Sequence, residues 1–191
     1  MTTLPARALE PVEPEPGVLV HPSSDRRLAV EHWLLSTLSE PGRARAQWQE
    51  YGAALLPLGT LFSAVRIPAR LVVALTASTE TSELDDFLNQ ALDGGPVICD
   101  PHHSRYYALV SASMPATWRQ AVDDWRTMDV DCLGRDSYLG VPPVSAVEHN
   151  PATHNPYWSV PMPSPGVLCA PLTVARLIAA GRHQLAEELD A

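Results

Sequence analysis

The chain has 191 residues, 46% of them hydrophobic, and a net charge of −9, which suits one domain with a real core and excludes the basic stripe that a binder of duplex DNA needs for its many phosphate contacts. All 13 positive side chains are Arg because Lys is absent, a bias that a high-GC genome produces and one that rules out any Gly-x-x-x-x-Gly-Lys phosphate loop. Cys99, Cys132 and Cys169 form no Cys-x-x-Cys pair, so no disulfide framework or cysteine zinc site is indicated and the expectation is reduced thiols in a soluble, cytoplasmic protein with no membrane span.

Residues 1 to 23 interleave five prolines with Glu10, Glu13 and Glu15, a composition that cannot bury a core and reads as a flexible or extended arm. A single domain over residues 24–191 follows. Ser24 can cap a helix running to about Ser39, Pro41-Gly42 ends it, and a short helix from Arg43 to Tyr51 comes next. Ala53 to Leu58 reads as a buried strand. Pro68 suits the first position of a helix through Leu75, and Ser82 with Asp85 suggests a capping box for the helix that carries Leu84, Phe87, Leu88, Ala91 and Leu92. Val97 to Cys99 and Tyr106 to Val110 read as strands flanking the polar loop Asp100-Pro101-His102-His103-Ser104-Arg105. Pro115 opens an amphipathic helix with Trp118, Ala121, Val122 and Trp125 on one face. Strands are expected around Cys132, Tyr138 to Val141 and Tyr157 to Val160, before a closing helix from Pro171 to about Leu189. The class is α+β, with a mixed or antiparallel sheet covered by helices.

Two stretches place acids at strand ends. Val97-Ile98-Cys99-Asp100-Pro101-His102-His103 ends an apolar strand in a carboxylate and two imidazoles, a set able to hold a divalent ion, although Asp100 can equally accept backbone N–H groups of its own turn. In Asp129-Val130-Asp131 a strand would put both carboxylates on one face, as a two-metal site requires, whereas a turn at Asp129 would leave only Asp131 facing inward. His149 and His154 lie in a loop rich in Pro and Asn that reads as an exposed turn. The aromatics Tyr106, Tyr107, Tyr138, Tyr157 and Trp158 could stack on bases or fill the core; Trp33, Trp48, Trp118 and Trp125 are assigned to the core.

The run from Asp131 through Gly134-Arg135-Asp136 to Tyr138-Leu139-Gly140-Val141-Pro142-Pro143 resembles the third conserved block of the bifunctional DNA primase-polymerase (prim-pol) N-terminal domain. Tyr51 to Gly59 is similar to that domain's opening strand. The resemblance covers roughly residues 43 to 180 and implies a primase-polymerase-like fold in which Asp100 and Asp131 are catalytic acids converging on one cleft. By the same resemblance Asp100, His102 and Asp131 hold Mg²⁺ or Mn²⁺, and His103, Arg105, Tyr106 and Arg135 contact nucleotide. His102 replaces the second acid of the family's metal pair, so the resemblance implies a degenerate, inactive or weakly active domain of a replication or mobile-element system, binding nucleotide, single-stranded nucleic acid or a replication partner. An acidic module for a basic protein partner on the same fold is the alternative; an active metal-dependent nucleotidyltransferase or phosphoesterase using Asp100, His102, His103 and Asp131 is the third.

Overall fold

The structure, a computed structural model, describes residues 12–15, 18–20 and 23–190. Val12–Glu15 (β1) and Val18–Val20 (β2) pair antiparallel, Val12 opposite Val20. Valines at both ends of this pairing favour the pleated backbone, in a stretch that reads from composition as an arm; the rest of that arm lies outside the described residues.

Helix α1 spans Ser23–Leu35. It stops before the expected Ser39 because the backbone N–H and Oγ–H of Ser36 both donate to the Trp33 carbonyl and tighten the last turn. Helix α2 (Pro41–Tyr51) starts on Pro41, whose missing N–H costs nothing at a first turn, and ends at Gly52, whose φ of 67° lets its N–H return to the Trp48 carbonyl. Strand β3 (Ala54–Pro57) lies where expected but is buried only on alternate residues, with Leu55 exposed, because its outer face is uncovered.

Phe62–Pro68 forms a further strand, β4, which is buried on both faces and so shows no alternation in its sequence. Pro68 belongs to the end of this strand, with extended backbone (φ −67°, ψ 138°), and helix α3 begins one residue later (Ala69–Thr76). Helix α4 (Thr81–Ala91) has no side-chain cap; Asp85, expected to complete a capping box, turns inward to Tyr157 and Ser159. Strands β5 (Val97–Cys99) and β6 (Arg105–Ser111) lie where their apolar runs place them. The expected single helix after Pro115 is two, α5 (Met114–Thr117) and α6 (Arg119–Trp125), broken at Trp118 where φ is −113° and ψ 26°. A 3₁₀ turn (Arg126–Met128), β7 (Asp131–Leu133), β8 (Tyr138–Val141), β9 (Tyr157–Val160) and α7 (Pro171–Asp190) complete the domain.

Five strands make the main sheet in the order β7-β4-β6-β5-β9, every neighbour antiparallel. Alternation then sorts side chains to two cores. One face gives Val65, Ile67, Tyr106, Ala108, Cys99 and Tyr157 to a core shared with α3, α4, α6 and α7. The other gives Phe62, Ala64, Ile98, Leu109 and Trp158 to a core shared with α1, α2 and a separate two-stranded ribbon of β3 and β8. The Trp48 indole N–H donates to the Val141 carbonyl at 2.8 Å and pins α2 to that ribbon. The fold is therefore α+β in three layers, an antiparallel sheet between helices. No helix among the described residues is long and apolar enough to cross a membrane.

Candidate functional site

One end of the main sheet collects most of the polar side chains singled out in the sequence. Asp131 on β7 stands opposite Arg66 on β4, and Arg66 stands opposite Tyr107 on β6. Residues paired in this way project to one face, so Asp131, Arg66 and Tyr107 form a row with Arg105, two residues from Tyr107 on the same strand. Asp129 joins from outside the ladder: it ends the 3₁₀ turn with φ 62°, the turn conformation weighed against a continuous strand. An Arg66 Nη2 N–H donates to Asp131 Oδ2, and the same nitrogen lies 3.5 Å from Asp129 Oδ1. Arg105 Nη1 donates to Asp129 Oδ2 at 3.0 Å, and Arg70 Nη1 lies 3.9 Å from that oxygen while its Nη2 donates to the Met128 carbonyl. Three arginines thus surround two carboxylates. Burial raises the Tyr107 phenol above its ordinary range, with Asp100 adding to the effect and Arg66 and Arg105 opposing it.

Asp100 follows β5 and serves its own turn. Its Oδ1 accepts the backbone N–H groups of His102 and Ser104, at 3.1 and 2.8 Å, and its Oδ2 accepts the Ser104 hydroxyl at 2.7 Å. That is the turn-capping behaviour expected of an Asp that precedes a proline. Asp100 and Asp131 lie at the same end of the sheet on different strands, Asp131 on β7 and Asp100 just beyond β5. Asp131, Arg66, Tyr107 and Ile98 lie in one cross-strand row, so three strand spacings put β7 and β5 about 14 Å apart there. Among the described residues no three of His, Cys, Asp and Glu come together as an ion's ligands would.

A second constellation flanks the same turn. His103, held at φ 52°, brings its Nε2 to 2.8 Å from Nδ1 of His149 in the loop between β8 and β9. Their rings meet edge-on, centroids 4.0 Å apart, and both lie against the Tyr157 ring at 5.8 Å. Behind them the Tyr157 hydroxyl donates to Asp85 at 3.1 Å, and the Ser159 hydroxyl donates to the same carboxylate. Burial raises the Asp85 carboxyl above its usual range, although both hydroxyls favour the charged form. The His103 imidazole is pushed down, by burial first and by His149 next, against the opposing pull of Asp100. His149 and Tyr157 line a cavity of about 660 Å³, walled by Trp48 and the 143–156 loop. Gly52 lets that loop close down: a Cβ there would sit 2.1 Å from the Asn155 side chain.

The remaining expected residues fall elsewhere. Tyr106 is fully buried and points into the helix-covered core beside Cys99, so it offers no stacking face. Arg135 lies in the turn after β7, beyond Leu133, which pairs with Ala64 at the opposite end of the sheet from Arg105. His102 is exposed on the turn. The sequence reading missed Arg66, Asp85 and the pairing of His149 with His103. Arg66 carried a signal, as the lone charge within an apolar run; His149 carried none, because a contact across 46 residues has no local signature. Comparison with family models, with curated proteins and with solved structures returned no match.

Proposed function

We propose that this chain is a non-catalytic binding domain of primase-polymerase-like character that takes a nucleotide or a short single strand of nucleic acid at the Arg66, Tyr107 and Arg105 end of its sheet. The observation that carries this reading is that the acids expected to hold catalytic ions are already engaged from within: Asp131 and Asp129 are paired with arginines, and Asp100 accepts three hydrogen bonds from its own turn. Two-metal nucleotidyl transfer needs those oxygens free for cations. Each guanidinium has five N–H donors and commits one nitrogen to the carboxylates, leaving others for phosphate, with Tyr107 between them as a stacking face. Mg²⁺ or Mn²⁺ would then arrive with the nucleotide's phosphates and is not required by the chain.

The test is a titration of labelled single-stranded oligonucleotide at two salt concentrations. Saturable binding at tens of micromolar protein is expected, with a shallow salt slope, weakening in Arg105→Ala and Tyr107→Ala and unchanged in Arg135→Ala. No binding at low salt overturns the reading. Templated extension with Mg²⁺ or Mn²⁺ that disappears in Asp131→Ala overturns its non-catalytic part and supports a nucleotidyltransferase.

A second reading, a module for a basic protein partner, is favoured by the ribbon. Leu55 and Tyr138 are 61% and 66% exposed on its outward face, Gly140 beside them leaves the backbone bare, and the chain's net charge is −9. Exposed apolar groups on an acidic chain suit a partner with a basic rim.

A further inference from the structure

The two edges of the β3–β8 ribbon are finished differently. Leu58 N–H donates to the Ser137 carbonyl at 2.9 Å, and the register pairs Leu56 with Leu139 and Ala54 with Val141 in step with it. Hydrogen-bonded and open pairs alternate along an antiparallel ladder, so the backbone groups of Leu55 and Pro57 face away from β8, and those of Tyr138 and Gly140 face away from β3. The β3 edge is closed: the Leu55 N–H donates to Gln47 Oε1 on α2 at 3.3 Å, and Pro57 has no N–H to offer. Along β8 no group among the described residues bonds the outward N–H and C=O of Tyr138 or Gly140, and no further strand pairs there. Edge strand β9 of the main sheet shows the contrast, since its Trp158 N–H donates to the Ala146 carbonyl of the loop beside it at 2.8 Å. Exposed edges are commonly blunted by a charge, a proline or a covering segment. Tyr138–Val141 contains no charge and no proline. Gly140 leaves room, since an added Cβ would meet only the Ala53 Cβ, at 4.0 Å, and Tyr138 on the same strand is 66% exposed.

We propose that the outer edge of β8 docks an extended segment of a basic partner protein, which adds to the ribbon as a third strand. The inference rests on the second reading above and supplies its mode of contact. Tyr138 and Gly140 each offer one N–H donor and one C=O acceptor, which give main-chain affinity to an extended guest, while Tyr138 and Leu55 on the outward face offer apolar surface to its alternate side chains. Charge selects among such guests. The chain carries a net −9 and β8 itself is uncharged, so a segment with Lys or Arg flanking its strand is drawn to the protein and meets no like charge on the strip. A second copy of this chain fits worse on both counts. It carries the same net charge, and a stable interface between folded copies takes about 20–30 residues a side, where this strip presents Leu55, Pro57, Tyr138 and Gly140. Pro142 and Pro143 follow β8 and hold the added strand to its length.

The experiment follows backbone amides of the whole chain by nitrogen-15 spectra and hydrogen exchange while a synthetic peptide of alternating Val and Thr, flanked at both ends by Lys, is added. Saturable binding at hundreds of micromolar peptide is expected, slowing exchange at Tyr138 and Gly140 and weakening with added salt. Gly140→Pro removes an outward donor and leaves the inward ladder intact, so it should weaken binding about tenfold, and Tyr138→Ser, which keeps every backbone group, should weaken it less. The same peptide N-methylated at every Val and Thr should not bind. Equal binding of the N-methylated peptide overturns strand addition while leaving a basic partner in place, and equal binding of a peptide with Glu for Lys overturns the basic partner itself. Slow exchange at Tyr138 and Gly140 that grows with protein concentration in the absence of peptide makes a second copy the occupant and overturns the proposal, as does no binding at millimolar peptide.

Discussion

Arg66 and Asp131 face one another across adjacent antiparallel strands and join in a charge-assisted hydrogen bond, while the same guanidinium nitrogen also reaches Asp129. Arg66 is the single charged residue of β4, a strand otherwise buried. Its Nε is buried with no hydrogen-bond partner, so the two acids are what compensate its charge.

Removing one member of the Arg66–Asp131 pair is expected to cost more than removing both. With side chains 28% and 33% exposed, the pair falls between the exposed and buried classes, so Arg66→Met should lose about 1–2 kcal/mol in urea unfolding. The double variant with Asp131→Asn should recover part of that loss, giving a coupling of about 1 kcal/mol. Strictly additive losses would show that the pair is not energetically coupled.

Asp85 should make the protein less stable as pH rises through the acid range. Its carboxyl is raised above the ordinary 3.8, so between that value and its folded value the native state holds more protons than the unfolded chain, and stability declines across that window with increasing pH. Asp85→Asn keeps an acceptor for the Tyr157 and Ser159 hydroxyls and removes the ionisation. Unfolding midpoints of the two proteins should therefore diverge in favour of the variant above pH 4, and parallel curves would contradict the assignment.

His103 should act in the opposite sense. Its imidazole is lowered below the ordinary 6.5, so the unfolded chain binds the extra proton first and stability drops as pH falls through 6.5 towards the folded value. The groups facing it are His149, Asp100 and Tyr157, of which His149 lowers and Asp100 raises the titration. Nitrogen-15 spectra should place the His103 midpoint below the ordinary 6.5, and His149→Gln should move it upward.

Gly181→Ala is expected to destabilise the fold although alanine is the better helix former by about 1 kcal/mol. Glycine here brings α7 against α3, since an added Cβ would lie 2.7 Å from the Leu71 carbonyl oxygen and 3.1 Å from its Cβ. A backbone atom cannot step aside cheaply, and overpacking costs about 1–3 kcal/mol. Thermal unfolding should show a lower midpoint; a higher one would mean that α7 slides freely on α3.

Local pattern carried most of the elements. Val97 to Cys99, Tyr106 to Val110 and Tyr157 to Val160 announced themselves as apolar runs between turns, and Pro171 sits where the closing helix begins, whereas Pro41, read as a stop, is the first residue of α2. Strand β4 was hidden because a strand covered on both faces has no period to detect. Its absence from the sequence reading left Arg66 without a strand, and so without the cross-strand partners that define the site. Register was equally invisible. Whether Asp131 meets a cation or a second acid depends on Arg66 being its cross-strand partner, which no spacing within either segment encodes.

Gly52 ends α2 in a left-handed turn and lies under the Asn155 side chain, so it joins two tasks that a substitution cannot satisfy separately. Any larger residue would strain the turn and lift the 143–156 loop together, carrying His149 away from His103. The histidine contact is in this sense held by a position 97 residues earlier that touches neither ring, and changes at residue 52 should register first as altered imidazole chemistry, before any loss of helix.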